Sequence, residues 1–295
     1  MKLKALFAAA ALAFAGSASA DDTIKLYAFS SGALTIGKGI LQNLAPIDPP
    51  IQVPVGFYLI KHPKGNVLFD TGCNDKLIKD PTYWIPGQRA MIMTPNPTMV
   101  PEIAIDYQLE KKAGVKLDDV KYVVASHLHL DHGGNIALFK KSTLLIQLDE
   151  LRNAFWPEPN TAGPYVPGDF LPLRNGPGTT NAAAYDINEL RGDYDIFGDG
   201  TVVVKRWPGH TPGSQMVVVK LKNTGTAILT GDNVYFKENV TKNIPPNIVL
   251  AWDPAGIMRA YDFIRHTLAS EKGDFFTAHD SDTFKVMKKA PEYYD

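Results

Sequence analysis

The chain lacks several features that would place it at once. It has one cysteine, Cys73, in 295 residues, so no internal disulfide can hold it together. After residue 20 no apolar run approaches the roughly 20 residues that a membrane-spanning helix needs. There is no lysine- and arginine-rich tract, and 30 basic residues face 31 acidic ones. That balance argues against a nucleic-acid partner, because phosphates call for a basic surface. No Gly-x-Ser-x-Gly turn presents a serine nucleophile, and no internal repeat or linker divides the chain. Stability must therefore come from a packed core, with any bound metal adding to it.

The first 20 residues are read apart from the rest. Lys2 and Lys4 precede an apolar stretch over 6–16, and Ala18-Ser19-Ala20 gives the small-x-small pattern of a signal-peptidase site. The expectation is a signal peptide over 1–20, a mature chain beginning at Asp21, and a periplasmic or secreted protein. Without Lys2 and Lys4, 28 basic residues face 31 acidic ones, a net charge near −3.

Along the mature chain, strand-like runs alternate with helical ones. Residues 24–29, 55–60 and 67–70 read as strands, with Pro63-Lys64-Gly65-Asn66 as a turn. The segment 103–113 reads as a helix ended by Gly114. Further strands are expected over 120–126, 144–148, 201–205, 215–220 and 226–230. Asp253 and Pro254 open a helix with Ile257, Tyr261, Ile264 and Leu268 at helical spacing; Gly273 closes it, and 274–278 is a last strand. Such a mixture predicts a layered α/β domain. Two Pro-rich stretches interrupt it, 81–101 and 156–181, and stretches of this kind often form lids or binding loops. The apolar residues of 81–101 fit an acyl-chain groove, a homodimer contact or plain packing equally well.

Three of the seven histidines fall within six residues: Ser126-His127-Leu128-His129-Leu130-Asp131-His132-Gly133-Gly134-Asn135. The string follows an apolar strand, so it lies on a strand-end loop where alternate side chains reach two neighbouring points. Imidazole and carboxylate suit zinc and similar divalent metals. His210, Asp232 and His279 each follow a predicted strand as well. Four strands thus deliver a candidate ligand at their C-terminal ends. Cys73 reads as a packed thiol, His62 as a surface turn residue and His266 as a structural helix residue.

This set resembles the metallo-β-lactamase superfamily. The resemblance implies a four-layer αββα sandwich over 21–295, with the metal site at one edge of the two sheets. By it, His127, His129 and His210 would hold one metal ion, Asp131, His132 and His279 a second, and Asp232 would bridge both. Two divalent ions, zinc first among them, would supply hydroxide near neutral pH without a side-chain nucleophile. Phe69-Asp70-Thr71-Gly72 resembles the superfamily's early strand-end motif, with Asp70 orienting a ligand histidine.

Gly231-Asp232-Asn233-Val234-Tyr235-Phe236-Lys237-Glu238-Asn239 is similar to the N-acyl homoserine lactonase family. There the tyrosine three residues after the bridging aspartate reaches the substrate. The expected catalytic residues are Asp131, Asp232 and Tyr235, the expected activity is lactone ring opening, or quorum quenching, and the expected partner is a small lactone or ester. The rival reading is an exported phosphotriesterase or arylesterase of the methyl parathion hydrolase type. A β-lactamase is disfavoured because Asp232 stands where those enzymes place Cys or Ser. A metal-binding protein without turnover is the remote alternative.

Overall fold

The computed structural model describes residues 23–90, 99–158, 162–174 and 185–295. The expected signal peptide and parts of both Pro-rich stretches lie outside the described residues. Six strands form one sheet in sequence order: β1 (Lys25–Ile36), β2 (Ile51–Lys61), β3 (Asn66–Phe69), β4 (Val120–Val124), β5 (Thr143–Gln147) and β6 (Asp186–Leu190). The second sheet runs in the order β11 (Gly273–Phe276), β10 (Gly225–Leu229), β9 (Gln215–Leu221), β8 (Val202–Arg206) and β7 (Tyr194–Asp195).

Alternation along β2 generates the layers. Phe57 and Leu59 point outward into a core with Leu68, Val123 and Ile146, covered by Ile105, Leu109 and Leu151 of two helices. Tyr58 and Ile60, one residue out of phase, point inward onto Val217, Val219 and Leu229 of the other sheet. On the far side, Ile228 and Phe275 pack against Ile257, Ala260, Tyr261 and Ile264 of the helix Pro254–Ser270. The order is helix, sheet, sheet, helix, as expected. Among the described residues no helix is long and apolar enough to cross a membrane.

The expected strands are present, with shifted ends, and three features differ from the sequence reading. The helix expected over 103–113 is a 3-10 turn, Pro101–Ile103, then an extended Ala104, then the helix Ile105–Ala113. Gly114 ends it in the left-handed conformation, at φ 64°. Gly273 does not close the long helix, which ends at Ser270; it opens β11. A side chain there would run into the Thr226 carbonyl of β10, so close strand approach explains the glycine. Finally, β1 continues past a bulge between Ser30 and Ala33, where Gly32 takes φ 114°, and pairs again with β2 from Ala33 to Ile36. The polar Ser30-Ser31-Gly32 hides this extension in the sequence.

The described parts of the two Pro-rich stretches are fastened to each other. Tyr83 Oη and Asn74 Nδ2 both donate to Oδ1 of Asp169, at 2.7 and 2.8 Å. Gln88 Nε2 donates to the Gly163 carbonyl at 2.7 Å. Trp84 is fully buried beneath Leu130, Val166 and Tyr235. Within 81–101, Trp84 and Gln88 are buried in these contacts, while Ile85 and Val100 are exposed.

Asp169 Oδ2 is buried without a partner. Burial raises this carboxyl from its ordinary value to about 7, against the opposing bonds from Tyr83 and Asn74 and the charge of Lys76. A carboxyl that holds its proton better when folded contributes stability that fades as pH rises from about 4 through about 7. Asp169→Asn keeps the Oδ1 acceptor and removes the ionisation. It is expected to match the parent near pH 4 and to exceed it by on the order of 2–4 kcal/mol at pH 8. Urea unfolding of both proteins across that range checks this; a pH-independent difference would remove Asp169 from the account.

Candidate metal centre

The strands bring their C-terminal ends to one edge of the sandwich. In the first sheet β3 and β4 are parallel, which sets Asp70 beside the loop 125–135; in the second, β10 and β11 are parallel, which sets Asp232 beside His279. His210 follows β8. All seven expected ligands meet there, each nine-tenths buried or more. Three groups have ligand atoms within 4.8 Å of one another and are able to hold a metal ion: His127, His129 and His210; His127, His132 and Asp232; and Asp131, His132 and His279.

The outer nitrogens of the imidazoles assign the tautomers. His132 Nδ1 donates to Asp70 Oδ2 at 2.8 Å, His210 Nδ1 to the Leu250 carbonyl at 2.7 Å and His279 Nδ1 to the Pro54 carbonyl at 2.8 Å. Asp70 also accepts from the Ser126 amide and hydroxyl, at 2.6 and 2.8 Å. The Ser126 hydroxyl proton is thereby committed, and its oxygen accepts from His127 Nδ1 at 3.0 Å. In its neutral form each of these four rings turns an Nε2 lone pair inward. Asp70 holds its place in a left-handed backbone conformation, at φ 62°.

Inside, ligand atoms face ligand atoms. His210 Nε2 lies 3.0 Å from His129 Nδ1, and His279 Nε2 lies 3.3 Å from His132 Nε2. His127 Nε2 is buried and has no hydrogen-bond partner. Asp232 Oδ1 lies 3.1 Å from both His132 and His279 Nε2, but without hydrogen-bond alignment, and Oδ2 lies 3.6 Å from His210 Nε2. The carboxylate therefore turns one oxygen toward each side of the centre. Imidazole nitrogens and carboxylate oxygens converging this closely are what a bound cation would satisfy.

The electrostatics agree. Burial, then the neighbouring imidazoles, pushes His127 well below the ordinary imidazole range; burial and His210 do the same to His129, and burial lowers His210. Burial is the largest influence on His132 and His279 and opposes their charge, yet the surrounding carboxylates, Asp232 first and Asp131 with it, together outweigh burial and raise both. Burial likewise opposes ionisation of Asp232, and His132 and His279 hold it well below the usual carboxylate range.

Tyr235 is buried beside this centre, its hydroxyl 3.1 Å from His210 Nδ1. That nitrogen has one proton and the shorter contact to Leu250 takes it, while the phenol hydroxyl is also hydrogen-bonded to the Asp232 carboxylate. Burial, then Asp232 and Asp131, pushes the phenol well above its ordinary value, which keeps it protonated. The cavity at the centre, about 100 Å³, is walled by Leu34, Ile36, Leu41, Val53, Leu130 and Leu250. Sequence reasoning missed these walls, because they come from the concealed extension of β1 and β2 and from an irregular loop. It also missed Glu150, a carboxylate in a helix's first turn that reads as an ordinary surface charge. Cys73 is a buried free thiol, raised by burial. Remote from the centre, His62 stacks on Phe197 at 3.9 Å and His266 bonds the Asp262 carbonyl within its own helix.

A four-layer sandwich with this His and Asp array at the edge of its sheets defines a class, and the sequence matches it directly over residues 52–290. The chain belongs to the metallo-beta-lactamase superfamily. It is 33% identical to N-acyl homoserine lactonase AttM of Azorhizobium caulinodans, over 92% of this chain and 99% of that one. To AttM of Agrobacterium fabrum it is 31% identical, over 92% and 98%. A solved N-acyl homoserine lactone hydrolase, with the product N-hexanoyl-L-homoserine at its catalytic metal center, shares the fold with a TM-score of 0.74. That pair is 24% identical over 92% of this chain and 99% of that one.

Chelation of bound metal is expected to lower the unfolding temperature. An ion present at about 100 times its Kd adds about 2.7 kcal/mol, or about 5–10 °C for a chain of this size. Differential scanning fluorimetry with EDTA, then with excess zinc, measures it. An unfolding temperature indifferent to both would mean that the cluster binds no metal.

Proposed function

We propose that this protein hydrolyses the ring ester of N-acyl homoserine lactones, using two divalent ions, zinc first among them. His127, His129 and His210 hold one ion, Asp131, His132 and His279 the other, and Asp232 is shared between them. Bound there, the ions supply Lewis acidity, polarising the ester carbonyl and lowering the pKa of a water molecule. The observation that carries the substrate class is Tyr235. Three residues after Asp232, it brings a protonated hydroxyl into a cavity with the carboxylates Asp131 and Asp232 and apolar walls.

The chain's own groups divide the work. Asp70, Pro54 and Leu250 fix the imidazoles, so little reorganisation accompanies reaction. Tyr235 donates a hydrogen bond to the lactone carbonyl or ring oxygen, where negative charge grows as the C–O bond breaks. Water adds across that bond, giving an open-chain hydroxy acid that releases a proton near neutral pH. The walls from Leu34 to Leu250 exclude bulk water and receive apolar parts of the substrate.

Proton release from a long-chain N-acyl homoserine lactone, with the zinc-loaded protein, is the direct assay. Asp232→Ala is expected to abolish turnover, and Tyr235→Phe to lower kcat about 10–100-fold with a smaller change in KM. No turnover with two ions demonstrably bound would reject these lactones and favour phosphotriesters or other esters. We also propose that residues 1–20 direct export. The protein recovered from the periplasm or medium should then begin at Asp21; a cytoplasmic product retaining residues 1–20 would refute this.

A further inference from the structure

The helix Leu148–Phe155 follows β5 directly, and its third residue, Glu150, is fully buried. Its carboxylate lies outside the proposed ligand set, yet it gathers donors from three separate segments. The Leu128 amide donates to Oε1 at 2.8 Å, from between His127 and His129. The Thr211 hydroxyl, next to His210, donates to Oε2 at 2.5 Å. The Tyr165 hydroxyl donates to Oε1 at 2.8 Å. The Gly213 amide is a further donor, and a side chain on Gly213 would collide with the Glu150 backbone amide. The His210 loop thus lies directly on the start of this helix. The Tyr165 ring packs edge-on against His129, with centroids 4.5 Å apart.

One carboxylate therefore spans the two loops that present His127, His129 and His210. The other side of the centre is fastened differently: His132 to Asp70, and His279 to the Pro54 carbonyl. We propose that Glu150 is the positioning residue of the His127, His129 and His210 set, fixing the distance between the loop after β4 and the loop after β8. The inference rests on the two-ion reading above. Glutamine cannot replace this carboxylate. Its NH2 group must face either the Leu128 amide or the Thr211 and Gly213 donors, so one loop is released in either orientation.

The test is metal affinity, read apart from turnover. Zinc is titrated into the metal-free full-length mature protein against a chromogenic chelator, and cobalt(II) spectra report the geometry of each site. In Glu150→Gln one of the two ions is expected to bind about 10–100-fold more weakly, the other within about twofold of the parent. If Glu150→Gln does not fold, Thr211→Val removes one bond alone and should weaken the same ion to a smaller degree. Equal weakening of both ions, or no change in either, overturns the proposal. So does a parent protein that binds fewer than two ions. A parent that binds two ions but leaves lactones intact refutes the substrate assignment and not the role of Glu150.

Discussion

Everything at the edge of this sandwich depends on keeping imidazole nitrogens and carboxylate oxygens pointed at one another in a small buried space. Five histidines and two aspartates are packed into a nearly dry space, where lone pairs repel and carboxylates have lost their water. The protein meets this cost on the outer side of each ring. Asp70, Ser126 and the carbonyls of Leu250 and Pro54 hold four of the rings in one tautomer and one orientation. The carboxylates of the centre, Asp232 first, favour positive charge on His132 and His279 against the opposing effect of burial.

The sheets make such crowding possible because they fix direction before detail. Parallel pairing of β3 with β4, and of β10 with β11, sends chain ends from both sheets to one edge. The inter-sheet core of Tyr58, Val217, Val219, Leu229 and Phe276 holds the two sheets in place. Short loops then have little freedom, and a side chain one residue beyond a strand is placed almost as firmly as one within it.

Much of this was legible in the sequence, and the reasons are local. The ligands sit just past apolar runs that could only be buried strands, so strand ends and ligand positions were read together. His127, His129, Asp131 and His132 carry their spacing within one loop; His210, Asp232 and His279 each follow a recognisable strand. What escaped depends on distant partners. Glu150 looks like any acidic residue in a first helical turn until Leu128, Tyr165 and Thr211 converge on it. The second half of β1 was concealed by its serine-rich bulge, and with it Leu34 and Ile36 of the cavity wall. Gly273 was given to a helix end because its neighbour across the sheet, Thr226, is nearly fifty residues away.

Two of the tethers are main-chain carbonyls, and this has a consequence for how such a protein can change. Leu250 holds His210 through its carbonyl while its side chain faces the cavity. A carbonyl is present whatever residue occupies the position. Natural variation at Leu250 can therefore reshape the wall without disturbing the imidazole behind it, as long as the loop keeps its path. Recognition and reactivity are inherited through different atoms of the same residue, so descendants of this chain can diverge in what they accept while conserving how they react.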